Sequence, residues 1–419
     1  MRTAIPENGQ SWEALRAEMI EFGKGDVDWR AGRTAVYVFN PGDDVMQVAK
    51  DAYALYQSEN GLGPAAFPSL ARMEREVIEM GLDLLHGPED ACGNMTSGGT
   101  ESIFMAVKTC RDEARSRGID TLGAEILVPR SAHPAFDKAA HYLDLKVVRV
   151  PVAGNLGADV SAMADAIGDR TLMLVGSAPC FPYGVIDPIE DLGALAEQRG
   201  VWLHVDACVG GYFAPFARMN GVPVPPFDFE VPGVRSISAD LHKYGYAAKG
   251  ASTVFHRSEA QREFQIFRFD DWPAGGMQTP TAAGTRPGGA IAGAWAVMNY
   301  LGVAGYCEKA RMVTNARQIL MQEIAKIDGL RTFGDPQLGL FTYGADENRS
   351  DAPDPFAVWG RIAKRGWFTG LVTEPRGVHM MLSPAHEALV PEYLADLREA
   401  VADVKASGET AEKTRAQYA

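Results

Sequence analysis

Residues 171–206 read TLMLVGSAPCFPYGVIDPIEDLGALAEQRGVWLHVD. Two short apolar runs, Thr171–Gly176 and Val201–Val205, bracket a segment in which Ile189, Leu192, Leu195 and Ala196 recur at helical spacing. Asp187 stands as the N-cap of that helix, Pro188 at its first position and Gly200 at its C-cap. A strand, a helix and a second strand in so short a span require a crossover, and a crossover makes the strands parallel. Outward from this unit, Ala124–Pro129 (AEILVP) and Lys146–Val152 (KVVRVPV) are further strand-like runs. Val160, Met163, Ala164 and Ile167 mark another helix, and Gly118 sits where a helix C-cap belongs. The chain is therefore α/β, with a mostly parallel central sheet in a large domain.

The flanks are different. Residues 1–70 are richer in Gly and Pro and form an N-terminal segment; residues 71–290 carry the alternating pattern; residues 291–406 suit a smaller α+β C-terminal domain; residues 407–419 form a polar tail. Gly288–Gly305 is the most membrane-like stretch. It is studded with Gly and Ala, interrupted by Asn299 and short for a span, so a buried helix is expected and no integral membrane segment.

A length of 419 residues suits two or three domains, and 46% hydrophobic with 22% charged residues describes a soluble globular protein. The net charge of −14 argues against nucleic acid or an anionic membrane as the main partner. An anionic substrate would need its own local cations. The five cysteines show no C-x-x-C spacing, and MRTAIPENGQSWEAL has no apolar signal region, so reduced thiols and a cytoplasmic location are expected.

Three segments carry chemistry. Thr96-Ser97-Gly98-Gly99-Thr100-Glu101-Ser102 leads straight into a helical pattern, IFMAVKTCRDEAR. Its glycines admit a ligand to the backbone, and the unpaired N–H groups of a helix start favour a phosphate; an ordinary helix start reads the same way. His204-Val205-Asp206-Ala207 ends an apolar strand, where ligands of open α/β sheets bind. Asp206 there can keep a pyridine nitrogen protonated, or cap a turn. In Ser236-Ile237-Ser238-Ala239-Asp240-Leu241-His242-Lys243-Tyr244-Gly245, alternating apolar residues deliver His242 and Lys243 to a strand end. A desolvated lysine can lose its proton and form an imine. Phosphate loop, aspartate and His-Lys, in that order, are what pyridoxal-5′-phosphate (PLP) chemistry requires, with the imine on Lys243. Cys208 reads as a buried thiol. His379 and His386 lack a carboxylate cluster, so no metal site is expected.

TSGGTES, SAHPAFDKAAHYLDLKVVRVPV, HVDACVGGYFAPF, FDFEVPGVRSISADLHKYGYAAKGAS and PTAAGTRPGG resemble the sphingosine-1-phosphate lyases, within the group II PLP-dependent decarboxylases. The resemblance runs from about Tyr37 to the TRPGG segment, and more weakly to His379. It implies fold-type I and a homodimer with active sites at the subunit interface. It makes Lys243 the imine lysine, Asp206 the partner of the pyridinium, and His133 the histidine stacked on the cofactor ring. Gly98, Gly99 and Thr100 become the phosphate loop, His242 a cofactor neighbour and Lys249 a second active-site lysine. Tyr37 and Asn60 would reach the site from the N-terminal segment, Tyr37 from the neighbouring subunit.

Two enzyme readings follow. A carbon–carbon lyase would cleave a phosphorylated long-chain base, or a related 2-amino-3-hydroxy compound, by retro-aldol. An amino-acid decarboxylase would instead need a carboxylate anchor, and Arg376 in EPRGVHMM suits one, or is a plain surface arginine. A non-catalytic PLP-binding protein would not need Lys243, Asp206 and His133 together. A dinucleotide-binding reductase is poorer still, because Gly61-Leu62-Gly63 follows no strand and lacks a third glycine. One departure stands out. Lyases carry N-P-L-H-P-D-x-F-P where this chain has Asn60-Gly61-Leu62-Gly63-Pro64-Ala65-Ala66-Phe67-Pro68. Gly63 replaces the histidine that helps hold the substrate phosphate, which implies weak handling of sphingosine-1-phosphate or a different natural substrate.

Overall fold

The protein, seen as a computed structural model, is described over residues 2–411 and 414–416. Seven strands form the main sheet: β1 (Cys92–Thr96), β2 (Glu125–Pro129), β3 (Lys146–Val150), β4 (Thr171–Ser177), β5 (Trp202–Asp206), β6 (Val234–Ala239) and β7 (Ser252–His256). Their order is β1-β7-β6-β5-β4-β2-β3, and only β7 runs against its neighbours β1 and β6. Helices α1 (Trp12–Phe22), α2 (Asp43–Leu55) and α3 (Pro68–Leu84) precede the sheet. Helices α4 (Gly99–Ser116), α5 (Ala135–Tyr142), α6 (Val160–Ala166), α7 (Ile189–Arg199) and α8 (Ala214–Met219) alternate with its strands. The expected strands appear within two residues of their predicted ends; β4 and β5 are buried on both faces as their apolar runs imply, while β3 at the sheet edge is mostly uncovered. Val175, Leu203, Val205 and Ile237 are all fully buried.

A short helix α9 (Glu259–Arg262) and the hairpin β8 (Phe267–Phe269) and β9 (Met277–Thr279) lead to α10 (Gly288–Ile324). By length and composition α10 could cross a membrane. Its first part, Gly288 to Met298, is largely buried and the helix packs on α2 and α3. Gly289 admits the Tyr53 ring and backbone so closely that a Cβ would lie 2.7 Å from the Tyr53 carbonyl oxygen. At Gly302 the backbone turns to φ 53°, ψ −175° and kinks the helix. A second, antiparallel sheet follows, ordered β10 (Leu330–Phe333), β11 (Leu340–Ala345), β13 (Arg376–Met381) and β12 (Gly370–Thr373), with α11 (Pro355–Lys364) and α12 (Val390–Ser407) against it. Beyond α12, Glu409 pairs with Arg361 and the Ala411 N–H donates to Asp354. Residues 412–413 and 417–419 of the polar tail lie outside the described residues.

One local expectation fails. Asp187 is not the cap of α7; Pro188 holds that place. The Asp187 carboxylate turns back to accept from the Ser177 N–H at 2.7 Å and the Ala158 N–H at 2.8 Å. Burial pushes it up to about 7. It ties the loop after β4 in place, next to the carboxyl edge of the sheet.

Candidate active site

The carboxyl ends of the parallel strands meet at one cavity of about 390 Å³. The end of β1 supplies Ser97 and the glycine turn, β2 leads to His133, β4 to Phe181, β5 ends on Asp206, and the turn after β6 holds Asp240, His242 and Lys243. Asp206 is placed by a buried strand itself, and the others by short turns that leave the strand ends.

Helix α4 begins at Gly99 with no side-chain cap. Ser97 donates from its N–H and its hydroxyl to the Glu101 carboxylate, both at 2.6 Å, and the other Glu101 oxygen accepts from the Ala282 N–H at 2.8 Å. Glu101 thus fixes the turn and leaves the first-turn N–H groups to the cavity. A Cβ on Gly99 would lie 2.8 Å from Cys208 Sγ and from Asp240 Oδ2. Only glycine fits there, and an uncapped helix start over a glycine cradle suits a phosphate.

Lys243 Nζ stands 3.0 Å from Asp240 Oδ2. Burial alone would lower the lysine, but the Asp240 charge, with Asp206 adding, holds the ammonium well above its usual range. The expectation of a lysine neutralised by desolvation is corrected: in this state Asp240 keeps it charged. Burial likewise works to raise Asp240, yet the charges of Lys243 and His242 and the Ser252 hydroxyl outweigh it and keep it low. His242 donates from Nδ1 to the Ala251 carbonyl at 2.7 Å, and burial lowers it despite Asp240. His133 Nδ1 accepts the Ala135 N–H at 3.1 Å, which leaves Nε2 to carry the proton of the neutral ring. Burial lowers His133 too, against the pull of Asp206. Cys208 is buried, and burial with two carboxylates nearby raises it far above the thiolate range, so it stays a thiol.

Lys249 lies beside this cavity, not in its wall. Its residue is exposed as a whole, but the amine donates to the His242 carbonyl at 3.2 Å and sits 5.3 Å from the Phe39 ring centre. Burial of that end, with the Lys243 charge, pushes it down to about 8. Tyr37 lines a second, apolar cavity of about 270 Å³ that shares His133 and Phe181 with the first. The chain thus places Tyr37 beside its own His133, where service to the neighbouring subunit alone was expected. Asn60 lines a third cavity, of about 410 Å³, away from Lys243. Its oxygen accepts from the Leu62 and Arg286 N–H groups and its amide faces Thr285, so Asn60 is spent on holding its own turn. Arg376 lines none of these cavities: it lies 3.9 Å from the Phe356 ring centre and pairs with Asp354.

Asp240, Glu101 and Phe181 had no role in the sequence reading. Asp240 had a signal, an acid three residues before the lysine. Glu101 stands three after Gly98, where a carboxylate reaches back over a helix start. Phe181 has none, because the loop after β4 brings it in.

Residues 2–343 match the pyridoxal-dependent decarboxylase conserved domain. The chain is 39% identical to mouse sphingosine-1-phosphate lyase 1 over 403 residues, 96% of this chain and 70% of that one. It is 40% identical to the rice (Oryza sativa subsp. japonica) sphingosine-1-phosphate lyase over 416 residues, 97% and 76%. The chain belongs to the sphingosine-1-phosphate lyase family, within the PLP-dependent decarboxylases. The structure of the Burkholderia pseudomallei sphingosine-1-phosphate lyase superposes with a TM-score of 0.92 at 35% identity, covering 97% of this chain and 94% of that one. Lactobacillus brevis glutamate decarboxylase, at 20% identity and a TM-score of 0.83, shares the fold. As a member of this lyase family the chain is a PLP-dependent lyase of fold-type I. Its own geometry fits the cofactor: the glycine cradle and free helix start suit the phosphate, and Asp206 and Lys243 share one cavity.

Proposed function

We propose that this lyase cleaves the C2–C3 bond of a phosphorylated long-chain 2-amino-3-hydroxy base, of the sphingosine-1-phosphate type, to an aldehyde and phosphoethanolamine. The observation that carries this reading is the pair of adjoining cavities. The Lys243 cavity holds Asp206, Asp240 and His242, while its neighbour, bounded by Val36, Tyr37, Phe181, Leu371 and Val372, suits an apolar tail. The amino-acid decarboxylase alternative loses its anchor, since Arg376 is engaged with Asp354 and Phe356.

When bound, PLP supplies an electron sink conjugated to the amine-bearing carbon. Gly98, Gly99 and Thr100 would hold its phosphate, Asp206 its ring nitrogen, His133 its ring face, and Lys243 its aldehyde carbon. The chain's own residues then do the proton work. From the edge of the cavity the Lys249 amine, neutral once pH passes about 8, takes the C3 hydroxyl proton; the C3 oxygen becomes the aldehyde oxygen as the C2–C3 bond breaks, and the Lys249 ammonium returns a proton to C2 before phosphoethanolamine leaves. The active unit is a two-fold dimer in this reading, supported by the unburied apolar residues of α1.

The test is product analysis by mass spectrometry with sphingosine-1-phosphate, with its dephosphorylated form, and with amino acids. An aldehyde with phosphoethanolamine is expected; carbon dioxide with a simple amine overturns the reading. Gly63→His belongs in the same series, because in the proposed dimer this segment, whose cavity lies away from Lys243 of its own chain, would have to reach the partner's site. A Cβ there meets only the Ala66 methyl at 3.8 Å, so a side chain can leave the backbone at this position. One charge-assisted bond is worth about 1.5–3 kcal/mol, so kcat/KM for the phosphorylated base should rise roughly ten- to a hundredfold.

A further inference from the structure

On one face of the sheet, Trp202, His204 and Asp206 of β5 lie beside Ser236 and Ser238 of β6, with His204 in register with Ser236 and Asp206 with Ser238. All five are buried. Trp202 Nε1 is 2.8 Å from Ser236 Oγ, which is 2.8 Å from His204 Nδ1. His204 Nε2 is 3.2 Å from Ser238 Oγ, and that oxygen is 3.5 Å from Asp206 Oδ1. Cys208 adds its Sγ, 3.3 Å from Ser238 Oγ.

The direction of this chain is set at its far end. An indole can only donate, so Ser236 Oγ accepts from Trp202 and its proton must go elsewhere. The Nδ1 atom of His204 is the one acceptor offered to it among the described residues. Burial pushes His204 down to about 3, so its ring is neutral, and with Nδ1 accepting the proton sits on Nε2. The Nε2–H then donates to Ser238 Oγ, as does the Cys208 thiol. With both lone pairs filled, the Ser238 hydroxyl has one use left, donation to Asp206. The opposite tautomer would strand the Ser236 proton in the core, a cost of about 1–3 kcal/mol. We infer that His204 is a positioning residue: the one-way chain Trp202–Ser236–His204–Ser238 aims a hydroxyl proton at Asp206 and so sets how that carboxylate meets the cofactor nitrogen. The ring is steadied by Phe136, whose centroid is 5.8 Å away, edge to face.

The inference rests on PLP binding at Lys243, and the test separates the two. Borohydride reduction and peptide mapping of the wild-type holoenzyme come first; a colourless protein, or a label elsewhere, would overturn the cofactor assignment itself. With that in hand, the pH titration of the bound cofactor's visible absorption is compared for wild type, Ser238→Ala and Trp202→Phe. Trp202 is four residues along the strand from Asp206, roughly 13 Å, and touches no part of the cavity. Both variants should shift the titration in the same direction, Ser238→Ala more, with PLP binding weakened about tenfold in Ser238→Ala and Ser238→Thr restoring it. Long-range ¹⁵N NMR of histidine-labelled wild type needs no variant and should show His204 as the Nε2–H tautomer. An Nδ1–H tautomer, or superimposable titrations in two folded variants, would overturn the inference.

Discussion

Asp240 governs the charge on Lys243 because it is the nearest anion, at 3.0 Å, in a site with little water to screen it. Asp240→Asn keeps the shape and removes the charge. The lysine should then lose its proton at lower pH, so the pH of half-maximal PLP uptake by the cofactor-free protein should fall. An unchanged profile in stopped-flow absorbance would mean that Asp240 does not set the lysine's charge. Lys249 makes a second prediction with a clear sign. Its amine is held down to about 8, so raising pH through that value frees the base. A rising limb in kcat/KM with a midpoint near 8 is expected, and Lys249→Arg, which cannot deprotonate, should abolish it and lower kcat by roughly a hundredfold. A profile in Lys249→Arg identical to wild type would remove Lys249 from the proton transfer. Asp206 and Lys243 were legible in the sequence because each follows a strand-like run, and strand ends converge in this fold; His133 came only with the family resemblance. Arg376 and Asn60 misled for the complementary reason. Their partners, Phe356, Asp354 and Arg286, are distant in sequence, and a motif does not show that a side chain is already engaged.

Among the elements, the start of α4 is the most exacting. Gly98 and Gly99 look alike in sequence, yet they differ in the fold. A Cβ on Gly98 meets nothing nearer than His242 Cε1 at 3.8 Å, and its φ of 166° is ordinary extended backbone. A Cβ on Gly99 meets Asp240 and Cys208 below 3 Å. Gly98→Ala should therefore bind PLP within a few-fold of wild type. Gly99→Ala must push the helix start away from the strand ends and should weaken binding at least tenfold, about 1.4 kcal/mol. Equal dissociation constants, read by equilibrium dialysis, would show that the phosphate does not sit on this turn. The alternating strands and helices of residues 124–206 were legible chiefly because β2, β4 and β5 are buried on both faces and leave apolar runs; β3, mostly uncovered, was legible from its β-branched valines. Helices α1 and α2 were not, since Gly and Pro around them masked the periodicity. The Asp187 cap failed because a buried carboxylate found two backbone N–H groups across the sheet edge.

At the scale of the whole molecule, α1 is the part that the chain does not explain by itself. Ser11 caps it properly, accepting the Ala14 N–H at 3.2 Å, yet none of its residues is buried. Trp12, Leu15, Met19 and Phe22 recur at a spacing that puts them along one side of the helix, and all four are exposed. Such a stripe in water gives a short helix no reason to persist, because isolated helices of this length are marginal. Glu13, Glu18 and Glu21 on the same helix, in a chain of net charge −14, make an anionic bilayer a poor cover for it. A second copy of the chain, whose surface must also hide apolar area to form the proposed dimer, is the better one. Each large side chain buried is worth about 1.5–3 kcal/mol, so four per helix and two helices per dimer are far more than a hundredfold in affinity, even after ordering costs. Deleting residues 2–25 should therefore weaken dimerisation at least a hundredfold in sedimentation velocity, while the monomer keeps the melting temperature of its main sheet. A deleted chain that still sediments as a tight dimer would place the interface elsewhere and leave α1 to a different partner.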